Sequence, residues 1–103
     1  MDVSLLKTYQ ADYDAVRNAT SVVDLSIETL AGAGVRHAVK KWLNMVESGN
    51  KPPSADLAKE LLDQFAMVQL ESMTVTKDGF IDTAATREAI KNKLDGYLAV
   101  EYK

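Results

Sequence analysis

Between Val3 and Leu30, eight residues recur at alternating steps of three and four: Leu6, Tyr9, Tyr13, Val16, Thr20, Val23, Ile27 and Leu30. That register places all eight on one stripe of a helix, and its mean step of about 3.5 residues is the one that winds helices around each other. Neither proline nor glycine interrupts the run. The pattern predicts a continuous N-terminal helix, roughly 40 Å long at about 1.5 Å per residue. A helix of that span exceeds the width of a small domain, so it needs other helices or a second copy of the chain to cover it. Leu6, Tyr9, Tyr13, Val16 and Val23 are accordingly the candidate residues of a self-association interface. Ser21, with Asp24 three residues on, resembles a capping box and offers the alternative of a break near Thr20. Ala31-Gly32-Ala33-Gly34 reads as the stop, because glycine tolerates the left-handed conformation of a helix C-cap.

Three further helices are predicted by the same kind of pattern. From Val35 to Ser48, Val35, Ala38, Val39, Trp42, Leu43 and Val46 share one face, while Arg36, His37, Lys40, Lys41 and Asn44 share the opposite one. Gly49-Asn50 and Pro52-Pro53 stop that helix. Ser54 is an N-cap, and Asp56 sits in the first turn, where the helix dipole favours negative charge. The third helix then runs to about Ser72, with Leu57, Ala58, Leu61, Leu62, Phe65 and Val68 on a broad apolar face that Met67, Leu70 and Met73 widen. A helix apolar over so much of its girth is central to a bundle or shared with a partner. Trp42, Leu61 and Phe65, each in the middle of its face, are expected to be among the most buried side chains. Residues 73–81 carry the only β character, either a hairpin about Lys77-Asp78-Gly79 or a loop pinned by Phe80. Asp82 or Thr83 caps a last helix, about Ala84 to Val100, with its stripe at Thr86, Ile90, Leu94, Tyr97 and Leu98.

The expected fold is all-α: a small bundle of four helices, five if the first breaks, forming a single helical domain over residues 1–103. A hydrophobic content of 47% against 26% charged residues suits a folded domain and argues against disorder. No apolar run approaches the roughly 20 residues that a membrane span requires. The N-terminus has neither a basic region nor an apolar run of signal-peptide type, so a cytoplasmic protein is expected.

The chemistry-bearing residues are few. There is no cysteine and one histidine, His37, so a zinc site of the usual composition cannot be assembled. No motif for catalysis or for a cofactor is present, and neither an enzyme nor a cofactor is expected. Asp78-Gly79-Phe80-Ile81-Asp82 resembles the middle of an EF-hand calcium loop. With Gly79 at the sixth position, however, Thr74, Thr76 and Ala85 stand where the first, third and twelfth ligands belong. The carboxylates that hold the ion are missing.

Charge is unevenly distributed under a net value of −3. Residues 34–53 hold four bases and one acid, whereas residues 1–33 hold five acids and two bases. Arg36, His37, Lys40 and Lys41 form a candidate charged docking face for an acidic protein surface, unless the acidic first helix neutralises it internally. The segment WLNMVESGNKPPSADLAKELL, from Trp42 to Leu62, resembles the second and third helices of winged-helix regulators, and Gly79-Phe80-Ile81 stands where their later glycine and apolar pair would be. That resemblance implies a DNA-binding regulator built on residues 35–81. The helix that would enter the groove lacks the necessary cations, since residues 60–76 contain no lysine or arginine but include Glu60, Asp63 and Glu71. The favoured function is therefore a non-enzymatic interaction module that docks on another protein and self-associates, with nucleic acid a disfavoured partner.

Overall fold

The computed structural model describes residues 4–103, and the expected helix start at Val3 lies outside them. The described residues form five helices: α1 (Ser4–Thr8), α2 (Gln10–Asn18), α3 (Ile27–Glu47), α4 (Ala55–Thr74) and α5 (Thr83–Glu101). The fold is all-α. Its centre is α3, which packs against each of the other helices.

The continuous N-terminal helix does not form. α1 and α2 run on from one another through Tyr9, whose N–H donates to the Leu5 carbonyl at 3.1 Å. The helix then ends at Ala19, whose backbone is extended (φ −69°, ψ 143°). Ser21 does not cap a new helix. Its hydroxyl accepts from Val23 N–H at 3.1 Å and donates to the Asp78 carbonyl at 3.1 Å, tying the connection to a distant loop. α3 starts more than one turn later at Ser26, whose side chain accepts from Thr29 N–H at 3.0 Å. The 3–4 register runs through the break because a short connection happened to preserve it. Val23, in the middle of the supposed stripe, is 76% exposed.

Nor do the glycines stop a helix. Ala31, Gly32, Ala33 and Gly34 all lie inside α3 and are buried. A methyl group at Gly32 would stand 2.1 Å from Asp12 Oδ2 and 2.8 Å from the Tyr9 ring. One at Gly34 would stand 3.1 Å from Ala66 Cβ and 3.2 Å from Leu70 Cδ1. The four small residues thus let α2 cross α3 on one side and α4 on the other at close range. Glycine is used here for its missing Cβ and not for its conformational freedom.

On α4, Ala58, Leu62, Ala66 and Leu70 recur every four residues and are all buried, Ala66 and Leu70 meeting the small-residue seam of α3 at Gly34. This displaces the expected core position by one residue. Leu62 is fully buried, whereas Leu61 and Phe65 are only half-buried at the edge. Trp42 is fully buried, as expected, and meets Tyr102 with ring centroids 6.1 Å apart. Ser54 and Asp82 cap α4 and α5, accepting from Leu57 N–H (3.3 Å) and Ala85 N–H (3.2 Å). All five expected stripe residues of α5 are buried.

Residues 75–82 form a loop, not a hairpin. Asp78 pairs with the α2–α3 connection: Val22 N–H donates to its carbonyl at 2.8 Å, and its own N–H donates to Thr20 O at 3.3 Å. The Lys77 ammonium donates to the Arg17 and Ala19 carbonyls at the C-terminus of α2, where the helix dipole favours a cation. Gly79 adopts φ +91° with Val22 and Val23 against its α-carbon, so this turn does need glycine. Phe80 pins nothing; its side chain is 100% exposed.

Candidate docking groove

The four residues of the charged face fall on consecutive turns of α3, but the structure gives them different work. Arg36 is half-buried: its guanidinium lies 4.4 Å from the Tyr13 ring centroid, and its Nε–H donates to Gln10 Oε1 at 2.7 Å. It fastens α2 to α3. Lys40 and Lys41 are exposed. His37 is half-buried between two recesses. Burial pushes its pKa below the usual imidazole value, with Lys41, Arg36 and Lys40 adding to the shift.

The larger recess is a groove of about 530 Å³ formed by three helices. His37 and Lys41 of α3 make one bank, and Gln64, Phe65, Met67, Val68 and Glu71 of α4 make the floor and the far bank. Arg87 of α5 closes one side. The Lys41 ammonium stands 4.5 Å from the centre of the Phe65 ring, and Val68 is 66% exposed. Arg87 is held by Asp63, a carboxylate only 3% exposed, across an Nη1–Oδ2 distance of 2.7 Å. The second recess, about 300 Å³, lies behind the same bank between Tyr13, Arg36, Lys40 and Asn44.

The acidic first helix does not neutralise these cations. Among the described residues the acids that form ion pairs are Glu28, Asp63, Asp95 and Glu101, and none of them engages Arg36, Lys40 or Lys41. Asp12, the α2 acid nearest the core, faces Gly32 and Lys93 instead, and burial raises its pKa. Lys41 therefore forms a positive edge, without an ion pair among the described residues, beside the apolar Phe65 and Val68, with Glu71 across the groove. The groove can bind a carboxylate through Lys41 and Gln64 while burying an apolar side chain on Phe65 and Val68.

The five candidate self-association residues do not form one free surface. Val16 is completely buried, and Leu6, Tyr9 and Tyr13 pack against this chain's own core, leaving Val23 exposed. Leu6, Tyr9 and Tyr13 are half-buried, so α1 and α2 offer a second copy only the outer edge of that stripe. The contributions of α4 and α5 to the groove were not assigned from sequence. The one signal was the apolar girth of the third helix, too wide for burial on a single face. No protein-family profile, curated protein or solved structure matches this chain.

Proposed function

We propose that this chain is a non-enzymatic interaction module, an adaptor, assembly factor or inhibitor of a larger complex in the cytoplasm. Its groove between α3, α4 and α5 would dock an acidic segment of another protein. The observation that carries this reading is the exposed Lys41, without an acidic partner among the described residues, beside the half-buried Phe65 and the exposed Val68, with the equally exposed Lys40 on the adjoining recess. An apolar centre with a polar rim is the usual anatomy of a protein docking site. No described helix is long and apolar enough to cross a bilayer.

A pull-down from the native host tests the proposal. Reversing Lys40 and Lys41 to glutamate should leave the fold nearly intact, with a stability change within about 1 kcal/mol, because both side chains are exposed. Recovery of the partner should drop sharply, chiefly through slower association, and wild-type recovery should itself decline as salt rises. Equal recovery by both proteins would reduce this face to solvated surface. Tight wild-type binding to duplex DNA at physiological salt would favour a winged-helix type of regulator instead, although α4 exposes Glu60, Gln64 and Glu71 where that reading needs cations.

The same site should be sensitive to pH. A partner carboxylate seated beside His37 raises the imidazole pKa from its depressed free value, so the complex holds more protons than the free chain between the two values. Capture should therefore strengthen as pH falls from neutrality through the bound value, and level off below the free one. His37→Gln should flatten the profile; identical profiles for the two proteins would place His37 outside the contact.

A further inference from the structure

We propose that a second copy of this chain docks in the same groove, each copy inserting its Phe80 tip into the groove of the other. The inference rests on the groove being a docking surface, as argued above. Phe80 is fully exposed, Val75 is 78% exposed on the same recess, and Val23, 76% exposed, lies against Gly79. These apolar side chains are presented on a loop that is held in place. The Asp78 backbone pairs with Thr20 and Val22, and the Lys77 ammonium is bound to the end of α2. An aromatic side chain on a pre-organised loop loses little freedom when it is buried, which suits it to act as an anchor.

Charge identifies the occupant. The tip is flanked by the exposed carboxylates Asp78 and Asp82, and its lysine is already engaged by main-chain carbonyls. The groove offers the opposite arrangement on its α3 bank, the exposed Lys41 beside Phe65 and Val68, with Arg87 at one side and Glu71 towards the recess beneath Phe80. Glu71 lines both the groove and the recess beneath Phe80, so the two surfaces adjoin. Adjoining knob and hole on one chain permit a two-fold axis that forms both contacts at once, giving a closed pair.

Sedimentation of the free chain, from dilute to millimolar concentration, tests this. The wild type should pass from a one-chain to a two-chain mass. Phe80→Ser, which alters a side chain with no burial to lose, should keep its helical circular dichroism and weaken pairing by about 100-fold, roughly tenfold for each of the two equivalent contacts. Lys41→Glu should also weaken it, and Lys41→Glu with Asp78→Lys should restore it. A one-chain mass throughout, a series of masses beyond the pair, or pairing unchanged by Phe80→Ser would each overturn the inference. A one-chain protein that still captures an acidic partner through Lys40 and Lys41 would overturn self-docking alone. A chain that pairs, but whose Lys40/Lys41 reversal captures partner as well as wild type does, would overturn only the earlier reading.

Discussion

Gly34→Leu should destabilise the fold by about 3 kcal/mol or more, at the upper end of what overpacking a core does. Even a methyl group there would sit 3.1 Å from Ala66 Cβ and 3.2 Å from Leu70 Cδ1, with the Ala66 carbonyl oxygen at 3.4 Å. The longer side chain has no void to enter, and α4 must move off α3, loosening the bundle's central contact. Gly34→Ala is the informative control. Its methyl asks Ala66 and Leu70 to give by a few tenths of an ångström, and the gain in helix propensity, about 1 kcal/mol, offsets much of that strain. Alanine should therefore fall within about 1 kcal/mol of wild type. Urea unfolding, read as a shift in midpoint at constant slope, measures both. If leucine were tolerated as well as alanine, α3 and α4 would not meet through a small-residue seam.

Trp42→Ala should remove about 3–5 kcal/mol, the usual range for truncating a fully buried large aromatic. Domains of this size have only about 5–15 kcal/mol in total, so the variant should be partly unfolded near body temperature. The indole N–H is buried without a partner among the described residues, so Trp42 contributes by volume and not by a hydrogen bond. Phe65→Ala, by contrast, should lose only about 1–2 kcal/mol, since its ring is half-buried at the groove edge and already meets solvent beside Lys41. The contrast separates core from docking surface. A Phe65 loss equal to that of Trp42 would mean that the groove floor belongs to the core.

These two variants also mark where the sequence was legible and where it was not. Capping at Ser54 and Asp82, the stop at Gly49 and the stripe from Thr86 to Leu98 depend on local chemistry, which a sequence displays directly. The run Ala31-Gly32-Ala33-Gly34 was misread because glycine has two uses. It ends helices by adopting positive φ, and it lets helices touch by lacking a side chain. Which use applies depends on Asp12, Tyr9, Ala66 and Leu70, all distant in the chain. The N-terminal stripe misled for a related reason. A 3–4 spacing persists through any connection of suitable length, and Thr20, Val23 and Ile27, all exposed, show afterwards that the face had turned outward. On α4 the apolar face was seen, but its centre was placed on Leu61 and Phe65 when it lies on Leu62 and Ala66. With so many apolar positions around one helix, the small residues of the facing helix decide which are innermost. The basic face was legible as a pattern. That it borders an apolar floor was not, because that floor comes from α4 and its closing arginine from α5.

Side-chain oxidative footprinting of the captured complex, compared with the free chain at a dilution where it sediments as one copy, tests the docking account most directly. His37 and Phe65 are reactive side chains on the bank and floor of the groove, half-buried but open to solvent. Tyr9 sits on the far side of α3, against Gly32 and the N-terminal helices, and serves as the internal reference. The account expects oxidation of His37 and Phe65 to drop when the partner is bound, with Tyr9 unchanged. Unaltered oxidation of His37 and Phe65 alongside protection of Tyr9 would contradict it, placing the partner on the N-terminal helices instead.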